Sequence, residues 1–463
     1  MTIAIKKRAI GAILAGAAGI FCPLLSLAAI PIQQWAQPGG ARVYLIESPA
    51  IAMVDVQLDF DAGSRRVAAA QAGLAGATAS LLSKGVAARG NEPALDENAL
   101  GEAWADLGAQ FGASAGTDRF SFSLRSLTES DLLDQAMRLA ARQVAEPAFP
   151  DHIWQRDRQR LVAQLKEAHT RPAYLAGRAF AAAVYGDHPY GHETTEASLG
   201  RISVADMRAF HAAYITPCHA RVSIVGALNR VQADALVTGL LARLPQVDCA
   251  AAPPLPAVAE VLPLERAQAL NIPFDSAQAH VLMGQPGYKR NDPDFFALTL
   301  GNYVLGGGGF VSRLTQEVRE KRGLSYSVSS YFSPGRHAGA FTVGLQTRPD
   351  QAAQATAVAQ QVLAKFVAEG PTEAELKAAK GYLIGGFPLL IDSNGKLLGN
   401  LANIAWNDLP LDYLDTWTAR IAKVSVTDVR AAFARKLQPE KMVTVILGSV
   451  PASAGDATPG TKP

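Results

Sequence analysis

Apolar and polar residues alternate strictly in VDVQLDF (54–60), and alternation returns in RFSFSLRSL (119–127) through Phe120, Phe122 and Leu124. A period of two predicts half-buried strands at both places. Between them, Leu100, Trp104, Leu107 and Phe111 recur at the spacing of one helix face. Helical patterns follow through Leu132–Ala140 and Ile153–Leu165, and the second half of the chain repeats the mixture. Strands are expected at AHVLMG (279–284) and GAFTVGLQT (339–347), and a helix at PTEAELKAAKGYL, opened by a capping box of Thr372 and Glu375. Phe310, Val311, Leu314 and Val318 predict the apolar face of another helix, closing at REKRG. Lys321 and Arg322 suit its C-terminus, and Gly323 is placed to cap it. Tyr326, Val328 and Phe332 are then expected on one face of the next strand.

The two halves are copies. Residues 202–226 read ISVADMRAFHAAYITPCHARVSIVG, and residues 424–448 read VSVTDVRAAFARKLQPEKMVTVILG. Ser203, Asp206, Arg208, Pro217 and Gly226 recur as Ser425, Asp428, Arg430, Pro439 and Gly448, since 439 − 217 and 448 − 226 both give 222. A gapless offset across a helix, a turn and a strand is the mark of an internal duplication. The expected fold class is α+β, two homologous domains, each a mostly antiparallel sheet with helices packed on one face. The expected domains are 29–248 and 264–449, joined by the Pro/Ala-rich linker CAAAPPLPAVAEVLP (249–263) and followed by a polar tail from 450, expected to be disordered.

Composition narrows the function by exclusion. The 463 residues carry a formal net charge of +2, which leaves no basic footprint for nucleic acid. Lys6-Lys7-Arg8 precede the apolar run AIGAILAGAAGIFCPLLSLAA, with Ser26-Leu27-Ala28 as a small-x-small cleavage site. Residues 1–28 therefore read as an export signal. After cleavage no membrane attachment is expected; an uncleaved run would anchor the chain. The mature chain keeps Cys218 and Cys249, whose spacing leaves a disulfide and two free thiols equally open. His188, His192 and Glu193 in HPYGHE have an i, i+4 imidazole spacing, but Pro189 and Gly191 break the helix that convergence on a metal would need. The run VLGGGGFVSRL lacks the Gly-Lys-Ser/Thr of a nucleotide cradle.

Five stretches carry a family likeness: GLAGATASLLSKG (73–85), VYGDHPYGHETT, FHAAYITPCHARVSIVG, LGGGGFVSRLTQEVREKRGLSYSVSS and GGFPLLIDSNGKLLGNLANIAWNDLPLDYL. Through them the chain, from about Val43 to Gly448, resembles the pitrilysin/insulinase family of zinc peptidases. Active members of that family have G-L-A-H-x-x-E-H-x-L-x-K-G at the first stretch, two His for zinc and a Glu that activates water. Here those places are held by Gly76, Ala79 and Ser80, and the family's later Glu ligand falls at Gln164, with Glu167 close by. No zinc is expected in this chain.

The same resemblance implies that Arg319 and Tyr326, seven residues apart, match the pair with which the family's C-terminal domain holds the peptide backbone and the developing oxyanion. It also implies that Gly306, Gly307, Gly308, Gly309 and Phe310 form a substrate-facing loop. Preorganised donors of this kind are worth about 3 kcal/mol of barrier each. The expected function is a non-catalytic, substrate-binding subunit of a heteromeric periplasmic metallopeptidase. A homologous partner bearing H-x-x-E-H would supply zinc and the general base, and Arg319 and Tyr326 would complete its site. The alternatives are a peptide-binding scaffold using an open sheet edge and a stand-alone hydrolase with a metal near His188.

Overall fold

The computed structural model describes residues 30–448 apart from 246, 252 and 253. The expected export signal and the tail from 450 lie outside the described residues. The first half contributes β1 (Gln33–Ala36), β2 (Arg42–Glu47), β3 (Met53–Phe60), the short pair β4 (Gly85–Val86) and β5 (Leu95–Asp96), then β6 (Gln110–Ala115), β7 (Phe120–Leu127) and β8 (Arg221–Gly226). The second half contributes β9 (Gln268–Pro273), β10 (Ala279–Pro286), β11 (Ser327–Phe332), β12 (Ala340–Thr347) and β13 (Val443–Gly448). The fold is α+β, two homologous units built on two sheets.

The first sheet runs β1-β2-β8-β3-β7-β6 and the second β9-β13-β10-β12-β11. Apart from the additional β1 the orders are the same. Each holds one parallel pair, β2 with β8 and β13 with β9, among antiparallel neighbours. The helices Val204–Tyr214 and Val426–Lys436 precede the last strand of each unit, and both open on a complete capping box, Ser203 with Asp206 and Ser425 with Asp428. The repeat seen in the residues is thus a repeat of topology.

Each unit's helices cover one face of its sheet. The opposite face is closed by a helix from the other unit. Pro172–Tyr185 packs Ala176, Phe180 and Val184 against Val443, Val445 and Leu447 of β13. Asn394–Trp406 packs reciprocally on β2, β3 and β8, where Tyr44 and Ile46 of β2 and Val225 of β8 join the core of the second unit. This exchange explains one departure from expectation. β3 alternates in sequence, yet it is buried on both faces, with Asp55 and Asp59 almost wholly enclosed. Each carboxylate is paired, Asp55 with Arg125 at 2.6 Å and Asp59 with Arg119 at 3.1 Å, because an unpaired buried charge is costly.

A second departure lies at the predicted helix through Phe111. The helix Glu97–Asp106 buries Leu100 and Trp104 but stops there, and Gly108 turns the chain with φ +57°. Phe111 belongs to β6 and returns to stack on Trp104 with ring centroids 5.3 Å apart. The shared apolar contact is real; the element supplying it is a strand. Cys218 and Cys249 are disulfide-bonded, which resolves the open choice and ties the start of the inter-unit segment to the turn before β8.

Candidate functional site

The second unit gathers most of the flagged residues. After the helix Phe295–Asn302 the chain widens into a π-type turn at Tyr303–Gly307, makes a tight turn at Gly309–Val311, and widens again through Thr315–Glu320. Such wide turns displace side chains from regular helical positions and are frequent at functional sites. A Cβ on Gly306 would collide with Ser330 of β11, so only glycine lets the loop lie against the strand. Gly309 has φ +60°, a conformation that glycine adopts without strain. Arg313 then fixes the segment by a two-pronged bond to Glu375, 2.8 and 2.7 Å, which holds that carboxyl down at about 2.

Leu314 and Val318 are buried as the pattern predicts, but Phe310 and Val311 are 64% and 69% exposed. They stand in the tight turn ahead of the wide helix and point outward. Tyr326 also departs from expectation. It precedes β11 and is 83% exposed, whereas Val328 and Ser330 face inward. Gly323, at φ +61°, donates its N–H to the Arg319 carbonyl at 2.8 Å and turns the chain back toward β11. Arg319 and Tyr326 therefore meet around one corner.

The guanidinium carbon of Arg319 lies 4.8 Å from the Phe310 ring centre and 5.2 Å from that of Tyr326. Contacts of this kind contribute about 0.5–1 kcal/mol each at exposed sites, enough to orient a long flexible side chain. Its ion pair runs from Nε to Glu320 at 3.3 Å, which leaves the terminal fork for carbonyl oxygens. Glu317 is turned away by Lys321 and Arg322, whose hydrogen bonds hold its carboxyl below the usual range.

Gly306, Gly307, Gly309, Phe310, Arg319 and Tyr326 line one cavity of about 530 Å³, together with Asn302, Thr315 and residues 327–331. Gly308 packs toward Tyr303 instead. The wall that residue-by-residue reading missed is β11 itself. It is the last strand of its sheet, with Ser327, Ser329 and Tyr331 exposed. An unpaired edge of this length is a template for an extended peptide. The serine-aromatic alternation in SYSVSSY was the available signal.

In the first unit, Gly73 (φ +103°) opens the helix Leu74–Leu81. Gly76 and Ser80 are exposed on it one turn apart, and Ala79 is buried. Gln164 and Glu167 are exposed on the helix Asp151–Ala168, and Glu167 faces Arg171 at 3.5 Å. Glycine, alanine, a hydroxyl and an amide do not fit zinc as that family binds it, because none brings an imidazole or carboxylate. Among the described residues no group of three or more His, Cys, Asp or Glu could hold a metal ion. His188 has both nitrogens engaged. Nδ1 accepts from the Tyr190 N–H at 3.1 Å and Nε2 donates to the Ala259 carbonyl at 2.9 Å.

Family comparison agrees with this geometry. Residues 42–198 match the model described as insulinase (peptidase family M16), and residues 201–383 match the one described as peptidase M16 inactive domain. The crystal structure of a peptidase M16 inactive domain from Pseudomonas fluorescens is 34% identical, covers 91% of this chain and 98% of that one, and superposes with a TM-score of 0.84. An uncharacterized zinc protease of Mycobacterium leprae is 28% identical over 414 residues, 89% of this chain and 90% of the relative. A non-peptidase homolog of Helicobacter pylori is 34% identical over 160 residues, about a third of each chain. The chain belongs to the insulinase family of peptidases, M16, as a member without the H-x-x-E-H motif.

Proposed function

We propose that this chain is the non-catalytic, substrate-binding subunit of a heteromeric periplasmic zinc metallopeptidase. The observation carrying this reading is the contrast between two helical segments. Leu74–Leu81 offers nothing that binds a metal, whereas Arg319 lies against both Phe310 and Tyr326 in the lining of a peptide-sized cavity. A guanidinium fork and a phenolic O–H are hydrogen-bond donors suited to a peptide carbonyl, and β11 can pair with the rest of the backbone. Zinc and the general base would come from a partner chain of the same family bearing H-x-x-E-H. The disulfide and the N-terminal apolar run support an exported, oxidising location.

The test is a pull-down of the tagged mature chain from its native periplasm, assayed for chelator-sensitive cleavage of an unfolded peptide beside the recombinant chain alone. Activity only with a co-purified H-x-x-E-H subunit supports the proposal. Activity in the lone chain refutes it. The open edge of β11 also favours a second reading, a peptide-binding scaffold, and peptide retention without cleavage or a peptidase partner would select it.

A further inference from the structure

Among the described residues the two units differ after their last strands. In the first unit β8 is followed by the helix Arg230–Leu241, whose Ala233, Leu236, Val237, Leu240 and Leu241 are buried. This helix lies against the helix Ser130–Ala145 and β2, with Gly239 close to Met137. Asp234 pins it to the chain's N-terminal strand by accepting from the Trp35 indole at 2.6 Å. Beneath it the four central residues of β2 are buried.

Among the described residues the second unit has the counterparts of Ser130–Ala145 and of β2, but no helix laid against them after β13. The helix Ala352–Glu369 begins 352 − 130 = 222 residues after its counterpart, and β13 begins 443 − 221 = 222 after β8. Between that helix, β9 and the helix Val426–Lys436 lies a cavity of about 1300 Å³, larger than the roughly 300–1,000 Å³ of small-molecule sites. Its lining is mainly apolar, with Met283, Leu363, Val367, Leu437, Met442 and Ile446, and Gln360, Arg430, Gln438 and Glu440 add polar groups. β9, the counterpart of β2, has no fully buried residue. At the offset of 222, Arg230–Leu241 corresponds to residues 452–463, which read ASAGDATPGTKP and contain no Leu, Ile, Val, Phe or Met.

We infer that this groove docks an amphipathic α-helix of about three turns from another polypeptide, with small and aliphatic residues at i, i+3, i+4, i+7 and i+8. The occupant is specified by the molecule itself, because in the other unit a helix lies against the counterparts of two of the groove's walls, Ser130–Ala145 and β2. Arg230–Leu241 places its buried residues at 233, 236, 237, 240 and 241, which is that spacing. Twelve helical residues span about 18 Å, and helix-in-groove recognition reads such anchors. The inference does not rest on the peptidase reading, since the groove is built from different elements than the Arg319 cavity.

The probe is a labelled peptide of residues 229–244, titrated into the full mature chain by fluorescence anisotropy. Ala364→Glu and Ala269→Glu place a charge on opposite exposed walls of the groove. The expected result is saturable micromolar binding, weakened at least tenfold by either substitution at an unchanged melting temperature. It should also be lost when Leu236 and Leu240 of the peptide are changed to Asp. No binding to the unaltered chain overturns the inference, as does binding that neither wall substitution weakens. Self-association of the chain that Ala364→Glu abolishes would assign the groove to a second copy and also overturn it.

Discussion

The two units share a strand order, a parallel pair, capped helices and an exchanged helix, yet their candidate chemistry is opposite. In the first unit the helix Leu74–Leu81 is intact as packing. Leu74, Ala75, Ala77, Thr78, Ala79 and Leu81 are buried, while Gly76 and Ser80 present no ligand. In the second unit the counterpart helix Phe295–Asn302 is intact too, but the chain after it opens into wide turns that push Phe310 outward and bring Arg319 beside Tyr326. A fold can therefore keep its core and lose or gain a site, because the core is set by inward positions and the site by outward ones.

The largest effect should come from the second unit. If the proposed complex with an H-x-x-E-H partner is isolated, Arg319→Ala in it is expected to lower kcat/KM by 10²–10³, about 3–4 kcal/mol, and Tyr326→Phe by about 10². Substrate-saturation kinetics decide it, and values within twofold of the unaltered complex would assign both residues to surface packing. Next, Cys218→Ser removes a bond closing a 31-residue separation and should cost about 3–4 kcal/mol in denaturant melts under oxidising conditions. An unchanged midpoint would mean that the connection between the units is held without it.

Gly306→Ala should cost about 1–3 kcal/mol, since its Cβ meets Ser330 of β11. A loss of peptide affinity larger than the loss of stability would show that the loop's closeness to the strand shapes the cavity. Smaller still is a pH effect centred on the first unit. Burial depresses the imidazoles of His188 and His211 below their ordinary value near 6.5. The unfolded chain then binds protons more readily, so their contribution is complete above about pH 6.5 and declines as pH falls below it. Melting temperatures should be close at pH 7.5 and 6.5 and fall as the pH drops to 5.5. His211→Gln, able to donate to the Val144 carbonyl, should flatten the slope, and an unchanged slope would exclude His211 as its source. The smallest effect is Gly76→Ala, a helical position with open space around it, expected to add up to about 1 kcal/mol of stability with no change in activity. Lost activity there would give the first unit's helix a role that its side chains do not suggest.

The sequence by itself determined the duplication, the strand-helix order and the absent zinc ligands, because these are carried by residue type and spacing along one segment. Capping boxes at Ser203, Thr372 and Ser425 were legible for the same reason: each bond spans three residues. Only the tertiary structure decided that Phe111 reaches Trp104 from a strand, that β3 is covered on both faces, and that Tyr326 faces solvent against Arg319. It alone showed the cation cluster of Arg221 and Arg336 around Asp408 where the units meet, and the groove left beside β9. Each of these depends on which distant segment lies opposite. A pattern of period 2 or 3.6 records that a residue turns away from water, and it does not record what that residue meets there.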